Sequence, residues 1–183
     1  MAIKTFTTGE VLTASDTNTY LANSGLVCIK QQTVGTAVAS VTVSSAFSAD
    51  YDNYKIVYHG GTGSDGDLQM TLGSTAAGYY MTFGFIPYLS PALTAVSINN
   101  GASWYYAGST RTTVNTLNLD VFGPNLAEET SMFGIYSGSK AGSGGGAIQG
   151  FLNNTTQYTA FTLTPIVGTL TGGKITVYGY RLG

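Results

Sequence analysis

Alternation with a period of two residues, almost uninterrupted by charge, constrains this chain more than any other feature. Ile56 to Tyr58, Leu68 to Leu72, Leu117 to Val121, Phe161 to Thr164 and Ile175 to Tyr178 each send apolar and polar side chains to opposite sides of an extended backbone. In the stretch at Leu117, the residues Leu117, Leu119 and Val121 share one side, and Thr116, Asn118 and Asp120 share the other. That is the pattern of an antiparallel sheet with one wet face. Charged residues make up 9% of the chain, where an ordinary domain has about 25%. The wet faces therefore have to be built from hydroxyls, amides and glycine.

From Leu26 onward the pattern predicts strands at about 26–33, 37–43, 53–59, 67–73, 79–86, 112–122, 131–137, 147–152, 158–164 and 173–182. So many short strands at this spacing imply two packed sheets, an all-β antiparallel β-sandwich occupying residues 26–183. Gly60-Gly61-Thr62-Gly63-Ser64-Asp65-Gly66 and Gly142-Ser143-Gly144-Gly145-Gly146 read as flexible turns. Pro87 to Ser103, with two prolines and Asn99-Asn100-Gly101, reads as one long excursion between sheets. Residues 1–25 differ. Thr13-Ala14-Ser15-Asp16 is a capping box with Asp in place of Glu, and Asn23-Ser24-Gly25 is a stop, which together predict a helix over 14–22. A helix of about nine residues does not persist alone in water, so this arm has to lean on something and is the candidate anchor.

The formal charge of −2 and pI near 5.1 leave no field to neutralise phosphates or hold an anionic bilayer. Nucleic acid and membrane are excluded as expected partners. Cys28 is the one cysteine, so no internal disulfide forms. Met1 to Glu10 holds no apolar run of signal-peptide length, and no stretch of about 18 apolar residues occurs. The expectation is a soluble chain made in the cytoplasm without a signal peptide.

Chemistry-bearing residues are few. His59, the single histidine, ends a strand and has no Gly-x-Ser-x-Gly elbow to work with, so it reads as a strand-end histidine. Asp65-Gly66-Asp67, with Asp50 and Asp52, offers oxygen ligands of the type calcium takes, but without EF-hand spacing; Asp-Gly closing a hairpin is the preferred reading. Glu128 and Glu129 are adjacent and point apart on extended backbone. Lys140 precedes a glycine run in the wrong order for a phosphate loop. Trp104-Tyr105-Tyr106 and Gly78-Tyr79-Tyr80-Met81 concentrate aromatic surface, suited first to packing or subunit contact and second to stacking on sugars. No enzymatic activity, metal or cofactor is expected.

The stretch Phe6-Thr7-Thr8-Gly9-Glu10-Val11-Leu12-Thr13-Ala14-Ser15-Asp16-Thr17-Asn18-Thr19-Tyr20-Leu21 resembles the opening of small structural proteins of tailed bacteriophages. Gly168-Thr169-Leu170-Thr171-Gly172-Gly173-Lys174-Ile175-Thr176-Val177-Tyr178-Gly179-Tyr180 looks like the closing hairpin of phage head-decoration and fibre domains. The resemblance implies a virion component with an N-terminal attachment segment and a jelly-roll-like sandwich, commonly a trimer. No heptads or repetitive shaft separate arm from sandwich, which favours a compact capsid decoration (cement) protein over a long fibre. On that reading Ile3, Phe6, Val11, Leu12, Tyr20 and Leu21 anchor the chain to the major capsid protein on the virion surface. The alternative is a short tail fibre or spike that binds host glycans through Trp104, Tyr105 and Tyr106.

Overall fold

The computed structural model describes residues 7–16, 25–138 and 144–180. One helical turn, α1 (Ala14–Asp16), precedes twelve strands: β1 (Leu26–Thr33), β2 (Val41–Val43), β3 (Asn53–Gly60), β4 (Gly66–Leu72), β5 (Tyr79–Pro87), β6 (Thr94–Gly101), β7 (Trp104–Thr110), β8 (Asn115–Phe122), β9 (Thr130–Ser137), β10 (Gly144–Leu152), β11 (Phe161–Pro165) and β12 (Lys174–Tyr180). Every pairing between them is antiparallel.

The order of pairing defines a jelly roll. Setting aside β5, β6, β9 and β10, the remaining eight strands pair concentrically: β1 with β12, β2 with β11, β3 with β8 and β4 with β7. Two four-stranded layers result, β1-β12-β3-β8 and β2-β11-β4-β7, which is the double-sheet solution to the edge problem of all-β chains. The alternation seen in the sequence supplies the core. Tyr54, Ile56 and Tyr58 of β3, Leu117, Leu119 and Val121 of β8, and Ile175 and Val177 of β12 join Leu68, Met70 and Leu72 of β4 and Phe161 and Leu163 of β11 in one buried cluster. Phe47, between β2 and β3, packs on Tyr54 at 4.8 Å and on Phe161 at 5.8 Å, so one ring touches both layers. Each such side chain contributes about 1.5–3 kcal/mol by leaving water.

The two inserted hairpins, β5–β6 and β9–β10, pair with each other through β10 and β5 and extend the first layer as β8-β9-β10-β5-β6. The sheet forks at β8. One edge of β8 is paired along its whole length with β3. On the other edge Thr116 and Leu117 pair with β7, whereas Leu119 to Phe122 pair with β9. Three strands crowd this point, and glycine makes room on both branches: a Cβ at Gly108 would stand 2.9 Å from Leu117 Cβ, and one at Gly134 would strike the Leu119 side chain. The inner face of the extension packs on β7, through Tyr79 against Trp104 at 5.3 Å and Phe83 against Tyr106 at 5.3 Å. The hydrogen bond from Tyr136 of β9 to Asp67 of β4 crosses the same junction.

The strands match the sequence reading at β1, β3, β4, β5, β8, β9, β10, β11 and β12 within a few residues, and three features correct it. The two layers are one continuous twelve-stranded sheet rather than separate sheets. Residues 37–43 contain a strand only at Val41–Val43, with an isolated bridge at Val38, because Ala37 sits at φ 53 and breaks the extended run. Pro87 to Ser103 is not an excursion: it holds β6, and β7 follows at once. Pro87 is the last residue of β5 and Pro91 lies in the connection to β6, the strand-end and loop positions that proline tolerates, and Asn100 at φ 55 marks a register shift in β6 opposite β5. In the arm the capping box closes as read, Thr13 Oγ1 accepting from the Asp16 amide at 3.1 Å and the Thr13 amide donating to Asp16 Oδ2 at 3.1 Å. The helix expected over 14–22 is seen as Ala14–Asp16; its remainder lies outside the described residues.

Candidate functional site

The groups from which an active site would be built lie apart. His59 is exposed at the end of β3, opposite Lys174 and Thr116. Asp65 is exposed and accepts the Thr112 amide at 3.4 Å, Asp67 accepts the Tyr136 phenol, and Asp50 is engaged by Ser48 Oγ at 3.1 Å. Among the described residues no group of three or more His, Cys, Asp or Glu side chains is placed to hold a metal ion.

Trp104 corrects the glycan reading. It is fully buried, edge-on to Tyr79, and its indole lies under Gly150, where a Cβ would come within 3.2 Å of Nε1. No ring face is left for a sugar. Tyr105 and Tyr106 are half-buried and pack edge to face at 4.9 Å, with Tyr106 turned toward Phe83.

Among the described residues the large exposed apolar side chains, Leu26 and Val167 apart, gather in three places. The first is the arm: Val11 is 79% exposed and Leu12 50%, and α1 buries no residue. Of the other expected anchor residues, Ile3, Phe6, Tyr20 and Leu21 lie outside the described residues. The second is the β5–β6 tip, where Tyr88, Leu89 and Leu93 stand exposed.

The third is the outer face of the extension. Cross-strand register sets Phe122, Ser131, Phe151 and Tyr80 in one row and Asp120, Phe133, Gln149 and Thr82 in the next, with Ile135 and Ala147 beyond. Tyr80 and Phe151 stack at 4.8 Å with their planes 3° apart. Phe122, Phe133 and Phe151 are 39%, 44% and 38% exposed, so together they present roughly 250 Å² of aromatic surface. A trough of about 620 Å³ runs between them, with Ser131, Gln149 and Thr82 as its polar points. The charge nearest this face is neutralised at its border: Lys55 Nζ lies 3.3 Å from Asp120, which also accepts the Tyr180 phenol. Both Asp120 and burial push the Tyr180 phenol up to about 12, burial being the larger cause. Aromatic rows rimmed by neutral polar groups make this face the candidate association surface, by their character rather than their extent.

Sequence reasoning did not pick out Phe122, Phe133, Ile135 and Phe151. A signal for them existed in β9, where Met132, Phe133, Ile135 and Tyr136 put apolar residues on both parities. A strand written that way is covered on both faces or awaits a cover.

Fold and surface together define an all-β jelly roll with exposed apolar surfaces on its arm and on its extension. Neither a protein-family model nor a curated protein matches the chain. Among solved structures it is similar to one titled "Crystal structure of infectious bursal disease virus VP2 subviral particle", at 12% identity and a TM-score of 0.14, over 86% of this chain. The match spans 41% of the length of that structure, and a TM-score so low carries no argument about fold or function.

Proposed function

We propose that this protein is a structural component of a bacteriophage virion, a capsid decoration protein that docks on the shell through its N-terminal arm and associates with copies of itself, as a trimer, through its sandwich. The observation that carries the reading is the placement of exposed apolar residues. Val11 and Leu12 stand open on an arm whose helical turn buries nothing, and a separate neutral aromatic face stands open on the body. Both would leave water only in an assembly, so the binding free energy of each copy would add to shell stability by mass action. The low charge of the body suits close-set copies, which strongly charged neighbours would repel. The tail-fibre alternative gains no support, since its central residue, Trp104, is buried.

The test is sedimentation of the purified full chain with capsid shells that lack it. Saturable binding that disappears when residues 1–25 are deleted, while the deleted chain keeps its β circular dichroism, is the expected result. Binding that is unchanged by the deletion, or that requires cells rather than shells, refutes the reading.

A further inference from the structure

The trough on the outer face of the extension suits an apolar occupant that carries a few hydrogen-bond acceptors. Register aligns Gln149, Thr82 and Ser97 in one row across β10, β5 and β6. Beside that row run the stacked rings of Phe151 and Tyr80, with Phe122, Ser131 and Phe133 completing the groove. Among the described residues the side chains of Thr82, Ser97, Ser131 and Gln149 find no hydrogen-bond partner, so three hydroxyls and an amide are left to donate. The same chain carries a knob of matching chemistry, the turn between β5 and β6. Leu89 and Leu93 are 77% and 74% exposed there, and no charged residue occurs from Pro87 to Ser103. The turn is held in one shape. Its Ser90 amide donates to the Pro87 carbonyl at 3.2 Å, its Ala92 amide donates to Ser90 Oγ at 3.4 Å, and the Tyr88 hydroxyl meets Ser137 Oγ at 3.4 Å. Pro91 has no amide hydrogen, so the turn offers mainly apolar side chains and carbonyl oxygens.

We propose that the occupant of the trough is the β5–β6 turn of a second copy of this chain, with Leu89 and Leu93 of one protomer seated among Phe122, Phe133 and Phe151 of its neighbour. Both surfaces are neutral, so the contact strips water from no unpaired charge, in keeping with the charge-poor, aromatic centre of protein interfaces. The turn is already ordered by its own hydrogen bonds, and a rigid knob loses little freedom on seating. Its carbonyl oxygens meet a trough that supplies donors. Strand β5 carries Tyr80 and Thr82 near its start and the turn after its end, roughly 20 Å away at about 3.3 Å per residue. No copy therefore fills its own trough. A contact between two different patches closes into a ring when a three-fold rotation relates the copies. That closure rests on the trimer proposed above, whereas the pairing of turn with trough does not.

The test uses the full chain in the absence of shells, followed by sedimentation velocity. A turn variant, Leu89→Ser with Leu93→Ser, and a trough variant, Phe133→Ser, should each associate tenfold or more weakly than the unmodified chain. An equimolar mixture of the two should form a one-to-one heterodimer, because it joins an intact turn to an intact trough. A second measurement needs neither variant to fold. With the exposed Cys28 removed as Cys28→Ser, Leu89→Cys and Ser131→Cys on one chain should form disulfides between protomers and yield covalent trimers. Covalent dimers as the end product uphold the pairing and refute three-fold closure. Unchanged association of the turn variant overturns the pairing, and so does a turn variant that still associates but no longer binds shells. A chain that associates, yet shows neither the heterodimer nor the cross-link, overturns the pairing and leaves the trimer standing. An unmodified chain that is monomeric at every concentration overturns both.

Discussion

Tyr58→Phe removes a single oxygen from a buried polar relay that joins three parts of the jelly roll. Asn115, at the start of β8 and fully buried, accepts the Arg111 amide on Oδ1 at 3.1 Å and donates from Nδ2 to the Tyr58 hydroxyl at 3.0 Å. That hydroxyl donates in turn to the carbonyl of Gly172, in the turn before β12, at 2.9 Å. The substitution leaves the ring in place, so no cavity adds to its cost. What it leaves is a buried Nδ2–H without an acceptor and a half-buried carbonyl, and an unsatisfied buried donor costs about 1–3 kcal/mol. Asn115→Ala loses two hydrogen bonds and some packing, for about 2–4 kcal/mol. Both remove the Asn115–Tyr58 bond, so the double variant should cost less than the sum by about 1 kcal/mol. Urea unfolding measures this directly: with a slope of about 2 kcal/mol/M, Tyr58→Phe should lower the midpoint by about 1 M. A shift under about 0.2 M, or two substitutions that add without coupling, would refute the relay as a support of the fold.

Other consequences are open to measurement. Burial raises the phenols of Tyr54, Tyr58 and Tyr79, the last to about 12. Their contribution to stability is complete below pH 10 and is lost as pH rises through the folded values, since the unfolded chain gives up those protons first. Ultraviolet titration of tyrosinate should therefore show phenols that ionise only together with loss of near-ultraviolet circular dichroism. A single uniform transition near pH 10 with the fold intact would contradict it. On the outer face, the pair Phe133→Ser and Ile135→Ser should shift sedimentation-velocity profiles toward monomer with little change in unfolding midpoint, because both side chains are already exposed. Unchanged association would place the contact elsewhere.

The jelly-roll layers were legible in the sequence because their strands are wet on one face. In β3, β4, β8, β11 and β12 the polar residues mark the solvent side, and the period of two survives in the written chain. The extension was less legible for the same physical reason. Strand β6 is an edge strand of Thr94, Ala95, Val96, Ser97 and Ile98, half-buried at best, so its inward residues carry little hydrophobic contrast. Strand β7 breaks register opposite β4 between Leu68 and Met70, and Trp104 and Tyr106 both pack beneath β5, on Tyr79 and Phe83. No periodicity survives a bulge of that kind. A small pocket of about 170 Å³ lined by Asp67, Phe83, Tyr106 and Tyr136 was harder still. Asp67 reads as one half of an Asp-Gly-Asp turn, and its partners Phe83, Tyr106 and Tyr136 come from three other strands that only the fork brings together.

That fork explains how one chain carries both a plain scaffold and its distinctive surfaces. An eight-stranded jelly roll closed on itself has its apolar residues inside and has little exposed aromatic surface to offer. Adding β9, β10, β5 and β6 to the free half of the β8 edge extends one layer past the sandwich, so the added strands have a covered face and a bare one. The covered face packs on β7 and encloses the Asp67 pocket; the bare face carries Phe122, Phe133, Ile135 and Phe151. Both surfaces depend on the same junction, where Gly108 and Gly134 let β7 and β9 approach β8 from one side. Gly134→Ala should therefore disturb the two together. The Cβ would press into Leu119 and force β9 away from β8, at a cost of about 1–3 kcal/mol for overpacking. In that variant self-association should weaken and the ring contacts of Phe83 with Tyr106 and Tyr136 should loosen together, the latter read in near-ultraviolet circular dichroism, while the Tyr58–Asn115 coupling in the jelly roll persists. Loss of one surface with full retention of the other would show that the extension is not a single mechanical unit.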